Sequence, residues 1–516
     1  MNSSRVFITG AVIVAGIASN SVLAEQFPRP INAATAPVQA WAQPDAHAFE
    51  APVYGEGQYP APRYPALPKT ITLEHLMPVA RALVRRPDIG YRYYPGYDVK
   101  PDERVLIVAN RDYDPLVIDA LRLAIQEVGA KADVLTGNDE TPGKKDPKWK
   151  PDGSLEVDWF AFPGVAVNQP FGGIKPREQL ALALAGNYDL VLSGTGGGWP
   201  NFPADKMRWV YLPWMWPDQF FENANNMPPE LLKFIDTASW AQVKQAVKLH
   251  ATDPEGTDLS WTSSPEQWNR TERKYGTLNM GHQLIAIEGA KATGVIAGTW
   301  NDTGPFPYLR LTLQDGRMVK MEGGGAYAEK WRAIKEKYKD LTWPGKPGPG
   351  LFTYLEEVAI SSNPRNVVPL EAVDYARGHA QDRTRSGIIH FGIGAGSGEM
   401  LPQWVEKGGT PVTNFFRANP DVPGGHFHVH NYFITLEITD KDGKTSKVID
   451  KGRLTVLDDP AVRREAAKYG DPDKLLREQW IPAIPGINVP GDYMHDYAQD
   501  PGVYLRRYID THWMPH

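Results

Sequence analysis

The stretch of the sequence whose residue types are best suited to chemistry contains three histidines at alternate positions. His426, His428 and His430 follow a Gly-Gly pair and enclose Phe427 and Val429. If this stretch is a β-strand, the three imidazoles share one face, and the two apolar side chains point the other way into a core. Neutral imidazole is the commonest protein ligand for transition metals. The pattern indicates either a metal site or a polar strand face whose histidines hydrogen-bond to neighbours, and we favour the metal site.

The composition restricts the chemistry of such a site. The chain of 516 residues has no cysteine, which excludes thiolate metal sites, cysteine-ligated iron–sulfur clusters and cysteine nucleophiles. A metal must therefore be held by histidine and carboxylate ligands, a donor set that suits Zn, Mn or non-haem Fe. The net charge of −6 provides no basic field for nucleic acid, so no nucleic-acid partner is expected.

The N-terminus predicts an exported protein. Arg5 precedes a short apolar run over residues 6–17, and residues 22–24 form a small-residue cleavage site. The run is too short for a comfortable membrane span. We therefore expect cleavage near Ala24, a periplasmic location and no stable membrane insertion, with a retained membrane anchor as the alternative.

The sequence divides into four expected segments. They are a signal peptide at 1–24, an extended Pro-rich arm at 25–70, an α/β domain at 71–248, and a metal-binding α+β domain with a Pro- and aromatic-rich tail at 249–516. The arm is expected either to wrap the domain or to lie loose.

The hydrophobic pattern sets the fold class. Residues 103–109 and 132–135 are predicted strands on either side of a predicted helix at 114–128, a unit that implies parallel strands. After residue 248 the pattern changes to alternating strands. The predicted fold class is α/β, with an N-terminal Rossmann-like parallel-sheet domain and a C-terminal mixed α+β domain rich in antiparallel strands. Predicted strands of the second domain include 294–300, 309–313, 317–321, 355–360, 387–394 and 427–438.

Six stretches, in order along the chain, resemble the M29 family of metallo-aminopeptidases, also called aminopeptidase T or S. The 2,5-dihydroxypyridine dioxygenases look like an offshoot of the same fold. The resemblance covers about residues 102–457 and leaves out the arm and the tail. The stretches are ATDPEGTDL at 251–259, NMG at 279–281 with EGA at 288–290, QDGRMV at 314–319, LEEVAI at 355–360 with NP at 363–364, IIHFGIG at 388–394, and the histidine cluster.

The resemblance implies metal ligands at particular positions. The strand histidine of the family lands on His390, and its H-x-D pair lands on His428 and His430, so that histidine replaces aspartate. These three histidines are the expected ligands. The glutamate of the family's G-E-x-A lands on Glu357, the expected fourth ligand or a residue that orients one. An earlier glutamate of the family lands on His282, again with histidine in place of an acid.

The two remaining histidines near these positions have other expected roles. His426 and His282 are candidate bases close to the metal. The alternatives are a solvent-facing strand carboxylate at Glu357 and a structural histidine at position 282.

The two replacements of an acid by histidine favour one metal over two. A dinuclear zinc peptidase needs bridging carboxylates to hold two cations about 3–4 Å apart. A single ion held by histidines and a carboxylate instead resembles non-haem Fe(II) sites. The sequence therefore favours one divalent transition metal, Fe(II), with Zn or Mn as alternatives.

Three functions remain open. The first is an exported, mononuclear, non-haem iron dioxygenase that acts on an aromatic or apolar small molecule. The second is an M29-like metallo-aminopeptidase or amidohydrolase that uses a metal-activated water. The third is a periplasmic binding protein that has lost its chemistry. The family tends to dimerise, so a homodimer is a further expectation.

Overall fold

The computed structural model describes most of the chain in segments. The described residues are 58–64, 68, 70–87, 96–109, 114–136, 148–149, 155–156, 188–193, 208–212, 217, 220, 227–269, 282–285, 291–301, 304–366, 385–395, 415, 418–419, 422 and 425–512. The predicted signal peptide lies outside them. No helix in these segments is both long and apolar enough to cross a membrane.

The N-terminal half contains a small parallel sheet. Its strands lie in the order β2-β1-β5-β6, and every neighbouring pair is parallel. The elements, in chain order, are α1 (Leu73–Arg85), β1 (Arg104–Ala109), α2 (Pro115–Glu127), β2 (Lys131–Thr136), the short strands β3 (Lys148–Trp149) and β4 (Leu155–Glu156), β5 (Leu190–Ser193), β6 (Arg208–Tyr211) and α3 (Pro229–Val243).

The sequence of this half explains its local structure. Val105 and Ile107, on one face of β1, and Leu106, on the other, are all buried, as expected for a strand covered on both faces. Asp114 begins α2 by accepting a hydrogen bond from the Leu116 amide at 2.8 Å. The predicted strand–helix–strand unit and its parallel strands are confirmed. The small sheet does not by itself establish the Rossmann-like domain that the sequence predicts.

The C-terminal half is dominated by antiparallel strands, as predicted. One eight-stranded sheet has the order β12-β11-β10-β8-β7-β16-β17-β18, and a four-stranded sheet has the order β15-β14-β13-β9. The elements are β7 (Ala246–Thr252), β8 (Asp258–Thr262), β9 (His282–Ile285), β10 (Thr293–Asn301), β11 (Gly304–Gln314), β12 (Arg317–Gly323), α4 (Gly325–Lys337), β13 (Leu355–Ser361), β14 (Ile389–Ala395), β15 (Gly425–Asn431), β16 (Thr435–Asp440), β17 (Thr445–Asp450), β18 (Arg453–Leu454), α5 (Pro460–Ala466), α6 (Pro472–Leu475) and α7 (Pro501–His512). Lys248, where the sequence predicts a domain boundary, lies within β7.

The prediction of one continuous strand over residues 427–438 is wrong. The chain leaves the four-stranded sheet after β15 and enters the eight-stranded sheet as β16. The crossing is fixed by polar contacts to its backbone: the Phe433 amide donates to Asp253 Oδ2 at 3.2 Å, and Arg385 Nη2 donates to the Tyr432 carbonyl at 3.2 Å. Periodicity alone does not reveal the crossing, because Tyr432, Phe433 and Ile434 form an unbroken run of buried apolar residues.

The apolar face of β15 packs as the alternation predicts. Phe427 and Val429 are buried, and the Phe427 ring stacks on Trp331 of α4 with centroids 4.5 Å apart. On β10, a Cβ placed on Gly298 would come within 2.8 Å of Val429 Cγ1. The glycine therefore lets the backbone of the large sheet lie directly against β15, which holds the histidine strand in place.

The described part of the arm lies against the C-terminal tail. Arg63 and Ile481 exchange both of their backbone hydrogen bonds, at 3.0 and 2.8 Å. The Asn488 side-chain amide donates to the Pro60 carbonyl at 2.9 Å. Residues 58–64 thus lie along the C-terminal segment.

A buried polar network joins the β7–β8 turn to the tail. Glu255 Oε1 accepts hydrogen bonds from Tyr493 at 2.6 Å and from Thr299 at 2.7 Å. Asp253 lies two residues away and is also buried. Burial raises the pKa of Glu255 to about 7, although the hydrogen bonds from Tyr493 and Thr299 act in the opposite direction. Burial and the nearby Glu255 charge raise the pKa of Asp253 well above its ordinary value.

We expect the free energy of unfolding to fall as the pH rises from 5 to 8. The folded chain holds a proton on Glu255 up to about pH 7, whereas the unfolded chain releases it near the ordinary pKa of 4.5. Because the folded state binds more protons in this window, stability decreases with rising pH. Denaturant unfolding at several pH values measures the slope. Glu255→Gln should flatten it, while the exposed control Glu266→Gln should leave it unchanged; equal slopes in both variants would contradict this account.

Candidate metal centre

The register of three strands brings the candidate residues to one face of the four-stranded sheet. Glu357 of β13 pairs with Gly392 of β14, and Gly392 pairs with His428 of β15. Two pairs further along, His390 lies opposite His430. Directly opposed residues in an antiparallel sheet point to the same side. The face therefore presents a carboxylate and imidazoles from separate strands.

Gly392 makes the room for the carboxylate. A Cβ at this position would lie 3.0 Å from Glu357 Oε2 and 2.9 Å from His426 Nδ1. Such separations are shorter than ordinary Cβ contacts, so an alanine would displace one of these groups. The missing side chain lets the Glu357 carboxylate lie across β14 and reach the histidines of β15.

The Glu357 carboxylate is the centre of the cluster. Its Oε1 lies 3.2 Å from His390 Nε2. Its Oε2 lies 3.0 Å from His426 Nδ1 and 3.3 Å from His428 Nε2. The His430 ring lies 5.6 Å from the His390 ring and 6.0 Å from the His428 ring, centroid to centroid. One carboxylate thus contacts three imidazoles, and the fourth imidazole, of His430, lies beside two of them.

Burial and charge set the protonation states. Burial lowers the pKa of His390 to about 4 and outweighs the opposing effect of Glu357, so the imidazole is neutral at neutral pH. Burial alone would raise the pKa of Glu357. The charge that His390 carries when it is protonated, and the hydrogen bonds of His390, His426 and His428, hold that pKa well below its ordinary value. An ionised carboxylate beside a neutral imidazole is the protonation state that metal ligands require.

The donor atoms fit one transition-metal ion. Glu357, His390 and His428 each offer a ligand atom, and these atoms all lie within 4.8 Å of one another. Two ligands about 2.1 Å from one ion and at right angles to each other lie about 3 Å apart, close to the observed carboxylate–imidazole distances. Two histidines and one carboxylate form the donor set of many non-haem Fe(II) sites.

The structure brings together some of the residues that the sequence predicts for the site, and not others. His390, His428 and Glu357 form the ligand-spaced group, and His430, expected as the third ligand, lies outside it. His426 contacts Glu357, as its candidate role near the metal requires. His282 starts β9, where its backbone pairs with Ser361, and its side chain lies outside the described atoms.

The two neighbouring carboxylates of β13 have different partners. Glu356, at the register shift between Leu355 and Glu357, pairs with Lys346 at 2.9 Å. The Glu357 side chain is only 14% exposed, so it is not the solvent-facing strand carboxylate of the alternative prediction.

Tyr327 is a positioning residue that the sequence did not reveal. Its hydroxyl donates to the His428 carbonyl at 3.0 Å and accepts from the His428 amide at 2.9 Å. β15 is the edge strand of its sheet, so these two backbone groups face away from β14. An unpaired buried backbone group costs about 1–3 kcal/mol, and Tyr327 removes that cost at the residue bearing a ligand atom. A buried tyrosine on a helix gives no sequence signal of this role.

Comparison with known proteins leaves the family open. No protein-family model matches the chain, and a search of curated proteins gave no match. Among solved structures, 2,5-dihydroxypyridine dioxygenase from Pseudomonas putida KT2440 is similar, with a TM-score of 0.41 and 14% sequence identity, over 75% of this chain and 98% of that one. Similarity at this level carries no argument about activity. The resemblance to the M29 family therefore stays a prediction.

We expect Gly392→Ala to weaken metal binding while the sheet remains folded. The added Cβ displaces Glu357 or His426 but removes no backbone hydrogen bond. Displacing a ligand or a residue that orients one typically lowers metal affinity by about 10–100-fold. Metal titration of the two proteins measures the change, and far-UV circular dichroism checks the fold.

The matched control for this substitution is Gly348→Ala, because nothing lies within 4 Å of a Cβ at that position. It should bind metal like the unmodified protein. Equal metal affinity in the Gly392→Ala and Gly348→Ala variants would contradict the role assigned to the glycine.

Proposed function

We propose that the protein is a mononuclear metal-dependent enzyme, with Fe(II) as its ion, that uses O₂ to oxidise an aromatic or apolar small molecule. The observation that carries the proposal is the grouping of one carboxylate, on Glu357, with the imidazoles of His390 and His428. A divalent iron ion bound there supplies a redox-active Lewis acid with open coordination positions.

The number of carboxylates supports one ion over two. Among the residues that the structure describes, the ligand-spaced group contains one acid, Glu357. A pair of cations about 3–4 Å apart needs bridging carboxylates to offset their mutual repulsion. The surrounding histidines are neutral ligands and do not supply that negative charge. The donor set therefore favours an oxygenase over an M29-like hydrolase with two metals.

Burial indicates the side from which a substrate approaches. His390 and His430 are completely buried, whereas Glu357, His426 and His428 keep small exposed fractions. The open side of the cluster is thus the side of Glu357, His426 and His428, away from His390 and His430. A small apolar molecule entering there meets imidazoles before it meets the floor of the site.

His426 is the proposed base. Glu357 Oε2 accepts a hydrogen bond from His426 Nδ1, which places the ring proton on Nδ1 and leaves Nε2 as the basic nitrogen. The negative charge of Glu357 stabilises the imidazolium that forms when Nε2 takes a proton. We propose that His426 accepts the proton of a substrate hydroxyl, while His390 and His428 hold the ion.

The remaining sequence predictions belong to the same proposal. We propose that the protein is exported after cleavage near Ala24, that it forms a homodimer, and that its small parallel sheet belongs to a Rossmann-like domain. N-terminal sequencing of the protein secreted by an expressing cell tests the first point, since an intact residue 1 would contradict it.

We expect protein purified without chelator to contain about one equivalent of iron. His428→Ala and Glu357→Gln should each reduce the iron content strongly, because each removes a donor atom of the group. The matched control His495→Ala changes a histidine that is 83% exposed and should leave the content unchanged. Elemental analysis measures these values. Unchanged iron in both cluster variants would place the metal elsewhere.

Activity assays of the unmodified protein distinguish the oxygenase from the hydrolase. We expect O₂ consumption, in proportion to substrate lost, with a panel of dihydroxylated aromatic compounds, and no release of amino acid from leucine p-nitroanilide. Two equivalents of zinc together with peptide hydrolysis would contradict the oxygenase proposal.

A further inference from the structure

A cavity lies apart from the histidine cluster and has a different chemistry. Its volume is about 340 Å³, and none of the residues that line it belongs to the cluster. It is formed where the arm meets the β17–β18 turn and the segment that follows α5. Among the lining residues, Pro60 belongs to the arm, Gly452 belongs to the turn and Pro472 belongs to the later segment.

The lining of this cavity carries an excess of positive charge. Three carboxylates face six cationic side chains, whereas the whole chain is net negative. The carboxylates belong to Asp458, Asp473 and Glu478. The cations are Arg63, Arg385, Lys451, Arg453, Arg463 and Arg477.

The three carboxylates are already paired with arginines. Arg453 forms a bidentate pair with Asp458, at 2.6 and 2.8 Å. Its Nη1 also donates to both oxygens of Glu478, at 2.8 and 2.9 Å, and Arg63 lies 4.0 Å from the same carboxylate. Arg463 pairs with Asp473 at 2.7 Å. All three acids of the lining are therefore neutralised, and three positive charges remain in excess.

The charges of the bases act on one another across the cavity. Burial lowers the pKa of Arg63, and the positive charges of Arg477 and Arg453 lower it further. The negative charge of Glu478 acts in the opposite direction. Like charges brought together in a partly buried space cost free energy unless an anion lies between them. The arrangement is typical of an anion-binding site.

The remaining walls are apolar. Tyr432, Phe433, Leu476 and Ile481 line the cavity and are buried. Cavities that hold small organic ligands have volumes of about 300–1,000 Å³ and combine apolar walls with a few convergent polar groups. Guanidinium groups recognise phosphate and carboxylate oxygens through paired hydrogen bonds.

We propose that this cavity binds a small organic oxyanion, whose phosphate or carboxylate group lies between Arg63 and Arg477 and whose apolar body lies against Tyr432 and Phe433. Binding ties the arm to the tail, because Arg63 belongs to the arm and Arg477 belongs to the C-terminal segment. The proposal is independent of the metal and of the function proposed for the histidine cluster.

Calorimetric titration of the full chain with phenyl phosphate and with phthalate tests this, at constant ionic strength set by NaCl. We expect saturable binding of at least one of the two anions, and the stronger one identifies the acidic group. Phenol, which has the apolar body without the charge, should not bind. Arg477→Ala should weaken binding by about tenfold or more, as expected for a lost charge-assisted hydrogen bond.

The matched control is Arg464→Ala, an exposed arginine beside Arg463 that does not line the cavity. It should bind like the unmodified chain. Arg477 is itself exposed, so its substitution should leave the fold intact, and circular dichroism verifies this. His428→Ala should lose iron yet keep anion binding, which separates failure of this proposal from failure of the metal site. Absence of saturable binding, or equal affinities in Arg477→Ala and Arg464→Ala, would overturn the proposal.

Discussion

The contact of one buried carboxylate with three imidazoles is the constraint on which the rest of the site depends. A buried charge is costly unless it is paired and hydrogen-bonded. Glu357 meets that requirement through His390, His426 and His428, which lie on two other strands. Their contact requires one strand register, and it requires a glycine at position 392 in the space that the carboxylate crosses.

The residues that follow the histidine strand connect the site to the rest of the molecule. Asn431 donates to the Ala297 carbonyl of the large sheet, Tyr432 accepts from Arg385, and Phe433 donates to Asp253 of the buried acid network. Three consecutive residues thus hold one end of β15 to the eight-stranded sheet, to the cavity that Arg385 lines and to the β7–β8 turn. The edge of the strand is held separately by the Tyr327 hydroxyl. The geometry of the ligands is therefore fixed by the core of the domain.

The sequence predicted those features of the site that follow from alternation and resemblance. Period-two alternation separated the histidines of β15 from Phe427 and Val429, and the resemblance brought His390 and Glu357 to the same site. The role of Gly392 and the exclusion of His430 from the ligand-spaced group depend on register across strands, which no local pattern encodes. The break of residues 427–438 into two strands depends on contacts with Arg385 and Asp253, both far away in the sequence. The parallel strands of the N-terminal half were predictable because their hydrophobic runs and the intervening helix are local signals.

Anomalous diffraction from crystals of the protein, recorded on both sides of the iron absorption edge, tests the central claim most directly. The account predicts one iron peak within about 2.0–2.3 Å of His390 Nε2, His428 Nε2 and a carboxylate oxygen of Glu357. Two peaks about 3–4 Å apart, or a peak away from these three residues, would contradict it.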